Sequence, residues 1–141
     1  QICSKRLEEL PLPPNVKKNC KVLHYGVGEK DDIMRFASYG TDESGFSKDG
    51  GVEVPITSID QTVKDLPVSF IKLDVEGFEL SALRGAKKTI SRCRPRMAVC
   101  AYHKKEDLIE LPKFLLDLKM DYQFYLRMYS NEYLEIVIYA V

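Results

Sequence analysis

Three carboxylates stand close together near the middle of the chain, directly after a short apolar run. Asp74, Glu76 and Glu79 follow Val68-Ser-Phe-Ile71 within the segment Lys72-Leu-Asp-Val-Glu-Gly-Phe-Glu79. A positioned carboxylate can accept a proton from a reacting group or attract a cationic ligand. One carboxylate here would be structural about as often as functional, because Glu76 or Glu79 could simply favour the positive end of a helix. Three of them within six residues favour a functional site.

The elements that must position these carboxylates are a buried strand and the helix that follows it. An apolar run with its charges at one end is typical of a parallel strand covered on both faces, and Gly77 allows a tight turn after it. Apolar residues then recur at helical spacing, at Leu80, Leu83, Ala86 and Ile90. We therefore predict a strand from Ser69 to Asp74 and a helix to about Arg92. Open α/β sheets bind their ligands at the carboxyl ends of strands, which is where the carboxylates fall.

Several motifs follow one another in a fixed order along the chain. Ile56-Thr-Ser-Ile-Asp60 precedes the segment Phe70-Ile-Lys-Leu-Asp-Val-Glu-Gly-Phe-Glu-Leu-Ser-Ala-Leu-Arg-Gly-Ala86. After it come Arg94-Pro95, a strand that ends in Tyr102-His103, Leu126-Arg-Met-Tyr-Ser-Asn131 and the closing strand Glu135-Ile-Val-Ile-Tyr-Ala140. In this order they resemble the FkbM family of S-adenosylmethionine-dependent methyltransferases. The resemblance implies a class I methyltransferase fold, which is Rossmann-like, and methyl transfer from S-adenosylmethionine.

The resemblance covers the C-terminal portion of such an enzyme. Family members begin with a strand and a glycine-rich turn that holds the cofactor, and this sequence has neither. Gly26-Val-Gly28 is followed by the strand-like Ile33-Met-Arg-Phe36 rather than by a helix, so it fails the context of a dinucleotide fingerprint. We interpret it as the turn after the third strand. The expected fold is thus a partial α/β sheet without the first two strands, in one domain over 1–141. Residues 20–57 hold the third strand and a hairpin annex, and residues 68–141 hold strands four to seven.

The remaining elements are predicted from turn residues and periodicity. The first half of the chain is predicted to hold a helix over 2–9, strands over 21–25, 33–38 and 51–57 around a loop at 39–50, and a helical piece over 59–65 capped by Ser58. The second half is predicted to hold a strand over 97–102, a helix over 106–119 broken at Pro112, and a C-terminal hairpin over 122–129 and 133–141. The family strand order is 3-2-1-4-5-7-6. Without the two central strands, the strand at Phe70 has an unpaired apolar edge. We expect a segment upstream of Gln1 to fill the gap, or two chains to pair there as a homodimer.

The resemblance also implies roles for individual residues. Asp74 and Glu76 would position the cofactor, and Glu76 is also a candidate base. His103 is a second candidate base or acceptor-binding group, although a single histidine after a strand is more often a loop or cap residue. Backbone groups of Gly26 and Val27 would meet the adenine. Many relatives carry an acid two residues before the histidine, and Ala101 stands there instead, so no metal site is predicted.

Composition narrows the function classes. The 141 residues carry 21 basic and 21 acidic side chains, which leaves no electrostatic footprint for nucleic acid. No apolar run is long enough to span a membrane. The four cysteines lack zinc-site spacing and are expected to be free thiols in a reducing compartment, the cytoplasm. We expect O-methylation of a sugar or of another small hydroxylated acceptor such as a natural product. The alternative is a non-catalytic module that acts through binding or self-association.

Overall fold

A computed structural model describes residues 9, 11–37, 45–46, 52–130 and 135–141 of the chain. The strands are β1 (Gly26–Val27), β2 (Asp32–Ala37), β3 (Gly45–Phe46), β4 (Val52–Thr57), β5 (Phe70–Leu73), β6 (Arg96–Cys100), β7 (Phe124–Met128) and β8 (Ile136–Ala140). The helices are α1 (Pro14–Asn19), α2 (Ile59–Val63), α3 (Glu79–Arg84), α4 (Lys87–Cys93) and α5 (Asp107–Asp117). Most of the helix predicted over 2–9, most of the loop at 39–50 and most of the hairpin turn lie outside the described residues.

The strands form two separate four-stranded sheets. In the first sheet the order is β1-β4-β2-β3, with β1 parallel to β4 and the other pairs antiparallel. In the second sheet the order is β5-β6-β8-β7, with β5 parallel to β6 and the C-terminal hairpin antiparallel. This order matches the expected 4-5-7-6 part of the family sheet. Within the described ranges no strand pair joins β1 to β5, so the predicted partial α/β fold is confirmed.

The main hydrophobic core lies between the second sheet and helices α3, α4 and α5. Its fully buried side chains include Leu83, Ile90, Met97, Val99, Leu111 and Leu115. A smaller cluster of Ala98, Cys100 and Val137 is also buried, and since strand side chains alternate, it lies on the other face of β6. Strand β5 leads to the carboxylates, and its neighbour β6 is therefore packed on both faces. No helix in the described part of the chain is long and apolar enough to cross a membrane.

The single helix predicted after β5 is wrong, because the chain forms two short helices with a break at Gly85. A Cβ atom at Gly85 would collide with the carbonyl oxygen of Gly28 and lie 3.0 Å from Cβ of Ser58. The Gly85 carbonyl oxygen accepts a hydrogen bond from the backbone of Asp60 at 2.8 Å. The Asp60 carboxylate then caps α4 by accepting from the amides of Lys88 (3.0 Å) and Thr89 (2.7 Å). A close backbone approach and a cap from another element together end α3 and start α4.

The strand predicted at Lys21–Tyr25 is also wrong, since pairing begins only at Gly26. Leu23 and Tyr25 are 52% and 55% exposed, so an extended strand there would bury little apolar surface. Continuing the parallel register by one residue would set Tyr25 against Pro55, which has no amide hydrogen for a ladder. The predicted cap at Ser58 is confirmed, because its hydroxyl accepts from the amide of Gln61 at 3.1 Å.

Helix α5 is continuous through Pro112, so the predicted break is wrong. Proline removes one helical hydrogen bond, and the carbonyl that loses its partner belongs to Leu108. Leu108 is 42% exposed, so this turn of α5 lies at the surface. Leu111 and Leu115 are buried on either side of the proline and hold both turns against the core. Tertiary packing thus outweighs the local cost of the proline.

Candidate active site

The site lies where β5 and β6 end. The two strands are parallel, with Leu73 opposite Val99, so the residues that follow them leave the sheet at one edge. His103 follows β6 and meets all three predicted carboxylates. Its Nδ1 lies 2.8 Å from Oε1 of Glu79, and its Nε2 lies 3.4 Å from Oε2 of Glu76 and 3.8 Å from Oδ1 of Asp74. The structure therefore brings together every side chain that the sequence analysis proposed for catalysis.

A left-handed turn between β5 and α3 shapes one wall of the site. Glu76 and Gly77 both have positive φ, 53° and 87°. A glycine adopts this conformation freely, whereas the conformation costs Glu76 about 1 kcal/mol. The Nζ of Lys104 donates to the carbonyl oxygen of Gly77 and so ties the turn to the segment that carries His103. The turn holds Glu76 beside the imidazole.

Glu79 is the buried member of the group. Its side chain is 0% exposed, and Oε1 accepts a hydrogen bond from the amide of Val75 at 2.9 Å. His103 Nδ1, despite its 2.8 Å contact with Oε1, and Glu79 Oε2 both lack a hydrogen-bond partner among the described residues. Buried carboxylates are normally compensated by hydrogen bonds or opposite charge. Glu79 begins α3, so the positive end of the helix favours its charge, as the structural alternative proposed.

Asp74 is held as an anion by its neighbours. Burial raises its pKa, but hydrogen bonds from Lys72 Nζ (3.1 Å) and the hydroxyl of Tyr102 (3.0 Å) outweigh this effect and lower the pKa below its ordinary value. Burial and the nearby Asp74 charge raise the pKa of the Cys100 thiol to about 11. The same two causes, with the hydrogen bond, raise the pKa of Tyr102. At neutral pH Tyr102 and Cys100 are therefore protonated beside an ionised Asp74.

Sequence reasoning missed the supporting residues around Asp74. Tyr102 also contacts the His103 ring, with 4.1 Å between the ring centroids. The only available signal was spacing: Cys100 and Tyr102 alternate along and beyond β6, and Lys72 precedes Asp74 by two residues. Such spacing puts side chains on one face of a strand but does not reveal which face meets β5.

Gly26 and Val27 are found at a separate part of the fold. They form β1 and pair with Ile56 and Thr57, and a Cβ at Gly26 would collide with the Ile56 side chain. The turn after them contacts α3, because the amide of Glu29 donates to the hydroxyl of Ser81 at 3.0 Å. Ser81 lies two residues after Glu79 in α3, so the first turn of α3 separates this turn from the carboxylate group.

One donor atom each of Asp74, Glu79 and His103 lies within 4.8 Å of the other two. The sequence predicts no metal site, because Ala101 replaces the acid that many relatives carry before the histidine. In the folded chain Glu79 supplies a carboxylate to His103 from the start of α3 instead. A carboxylate and histidine pair is therefore present, although its two members come from different elements.

Comparisons with known proteins show the family of this chain. The family model of the methyltransferase FkbM domain matches residues 6–124. The crystal structure of methyltransferase FkbM from Methylobacillus flagellatus KT is similar to this chain with a TM-score of 0.74 and 29% sequence identity. The match covers 100% of this chain, which spans 32% of the length of that one. No curated protein matches the chain. From the family match over most of its length, the chain belongs to the FkbM methyltransferase domain family.

Proposed function

We propose that this chain takes part in S-adenosylmethionine-dependent methyl transfer to a hydroxyl group of a sugar or another small acceptor. The observation that supports this most directly is the convergence of His103 with three carboxylates at the carboxyl ends of β5 and β6. A histidine among carboxylates can accept a proton from a hydroxyl, and the carboxylates stabilise the imidazolium that results. In a chain of the FkbM family, this chemistry suits O-methylation.

The charges at the site fit a cationic cofactor. S-adenosylmethionine, when bound, supplies a methyl group on a positively charged sulfur. Asp74 is ionised and Glu76 is 56% exposed, so both offer negative charge at an accessible edge of the sheet. We assign Asp74 and Glu76 to cofactor positioning, and backbone groups of Gly26 and Val27 to the adenine. The turn after Gly26 and Val27 contacts α3 at Ser81, two residues after Glu79, which is compatible with a single extended ligand.

Proton removal is assigned to Glu76 or His103. His103 has a side chain that is 11% exposed and faces Glu79 with one nitrogen and Glu76 with the other. Glu79 contacts Nδ1 of the ring, while Nε2, which is itself buried, contacts the more exposed Glu76. A hydroxyl held beside Nε2 or Glu76 would lose its proton as its oxygen attacks the methyl group in line. Glu76 can then pass the proton to solvent because more than half of its side chain is exposed.

Calorimetry tests the proposal. S-adenosylhomocysteine would be titrated into the 141-residue chain and into a version extended upstream to include a strand and a glycine-rich turn. We expect binding by the extended version and weak binding by the chain itself. The exchange Asp74→Asn should weaken binding by the extended version, whereas Asp117→Asn, on an exposed part of α5, should not. Binding by neither version would contradict the proposal.

Self-association through β5 is a second candidate function. Within the described residues β5 is an edge strand, and Phe70 on it is 55% exposed. Such an edge is a template for pairing with another strand, either from an upstream segment or from a second copy of the chain. Sedimentation of the two versions used for calorimetry separates these cases. If a homodimer forms through β5, the 141-residue chain sediments as a dimer and Phe70→Lys makes it monomeric.

We place the protein in the cytoplasm as part of the same proposal. Cys20, Cys93 and Cys100 are free thiols, which suits a reducing compartment.

A further inference from the structure

Two residues at the centre of the site, Glu79 and His103, have buried oxygen or nitrogen atoms without a hydrogen-bond partner in the described part of the chain. The Glu79 side chain is fully buried and its Oε2 has no hydrogen-bond partner in the described part of the chain. Both ring nitrogens of His103 are buried without a hydrogen bond there, although Nδ1 lies 2.8 Å from Oε1 of Glu79 and the side chain is 11% exposed. Unpaired buried polar atoms are rare in folded proteins, and an unseen ion is one of the few explanations for them. These buried oxygen and nitrogen atoms therefore point to a cation-binding site.

The charges at the site also favour a bound cation. Three carboxylates, those of Asp74, Glu76 and Glu79, surround His103. Of the nearby lysines, Lys72 binds Asp74 from the exposed side at 3.1 Å, and Lys104 donates to a backbone carbonyl. Neither ammonium group contacts Glu79 among the ion pairs of the described residues. A buried carboxylate is costly unless opposite charge reaches it.

We propose that Asp74, Glu79 and His103 bind a divalent transition-metal cation such as Zn²⁺ or Mn²⁺. Imidazole suits the later first-row metals and carboxylates suit the harder ones, so this mixed set favours a borderline ion over Mg²⁺. Tetrahedral bonds of about 2.1 Å separate ligand atoms by about 3.4 Å. Here Glu79 Oε1 lies 2.8 Å from Nδ1, Asp74 Oδ1 lies 3.8 Å from Nε2, and the three residues offer atoms within 4.8 Å of one another. Because the two carboxylates contact different ring nitrogens, one of them must shift to share an ion at a single nitrogen. Asp74 is 39% exposed at a strand end, so its side chain has room to close the difference.

The three ligands leave coordination positions open. A metal ion in such a site binds an oxygen atom and lowers the pKa of the bound water or hydroxyl. With the ion present, His103 is a ligand and Glu76 is the group left to accept the proton. The metal site does not depend on the proposed methyl transfer, because it rests on side chains that meet in this chain alone.

The test is a titration of Co²⁺ into the untagged 141-residue chain, followed by its visible absorption. Co²⁺ reports nitrogen and oxygen ligands through its colour, and Zn²⁺ added afterwards should displace it. We expect one Co²⁺ per chain, and binding weakened at least about tenfold by Asp74→Asn or Glu79→Gln. The matched control Glu110→Gln removes an exposed carboxylate of α5 and should leave the affinity unchanged.

Each outcome decides the proposal. Saturable binding that is lost in both site variants and kept in the control supports it. No saturable binding overturns it. Equal binding by all variants also overturns it, because the ion would then lie elsewhere. If Glu79→Gln fails to fold, as judged by circular dichroism, Asp74→Asn gives the answer, since its side chain is 39% exposed.

Discussion

The two sheets of this protein are buried to very different extents. In the second sheet, four of the five β8 residues and four of the five β6 residues are buried. In the first sheet, Ile56 is 5% exposed while Ile33 is 66% exposed. The helices α3, α4 and α5 cover the second sheet, whereas β2 and β4 pair mainly with each other. The candidate site extends from the ends of β5 and β6, and β6 is the well-packed strand of the two, where side chains are held most precisely.

The junction between the two regions includes close backbone contacts, and Val27 of β1 also packs against the main core. The carbonyl of Gly28 abuts Gly85, and Asp60 caps α4 after donating its own amide to Gly85. The turn after β1 thus meets the helix pair that carries the site. Because side chains are more deeply buried in the second sheet than in the first, we expect similar substitutions in the two regions to change the stability by very different amounts.

The largest effect is expected from truncation of the core. Leu83→Ala removes a side chain with 0% exposure and should lower the free energy of unfolding by about 3 kcal/mol. Ile33→Ala in β2 should change it by less than about 0.5 kcal/mol. Urea denaturation followed by circular dichroism measures both. Equal losses would show that the first sheet is packed as well as the second, which would remove the contrast.

An intermediate effect is expected at the junction. Gly85→Ala places a methyl group against the Gly28 carbonyl and should cost about 2 kcal/mol. Gly85 has a φ of −71°, which alanine also adopts, so the cost is steric and not conformational. Ser91→Ala, at an exposed position in α4, is the control and should be nearly neutral. A fully stable Gly85→Ala variant would mean that the two regions do not touch there.

The smallest effect is expected within the site. Tyr102→Phe removes the hydrogen bond to Asp74, so the pKa of Asp74 should rise towards its ordinary value. Because the folded pKa is lowered, Asp74 stabilises the fold above its ordinary pKa, and this stabilisation disappears as pH falls through the folded value. The Tyr102→Phe variant should lose less stability on acidification. Carbon NMR of the carboxyl group measures the pKa, and Tyr125→Phe on β7 should leave it unchanged.

Sequence patterns predicted the second region well because its elements are strongly periodic. The apolar run of β5 and the helical spacing after it each reflect burial on a defined face. The strand order followed from the resemblance to the FkbM family. Predictions failed where burial was weak, at Lys21–Tyr25, and where a neighbour decided the backbone, at Gly85 and Pro112.

By itself, the sequence determined that Asp74, Glu76 and Glu79 would gather between β5 and α3, because they are local to one turn. Only the tertiary structure decided that Glu79 is buried against His103 and that Tyr102 binds Asp74. These contacts join residues far apart in the chain, and they exist because β5 and β6 are parallel and in register. Local pattern specifies which face of an element is apolar, whereas register and packing specify which polar side chains meet across elements.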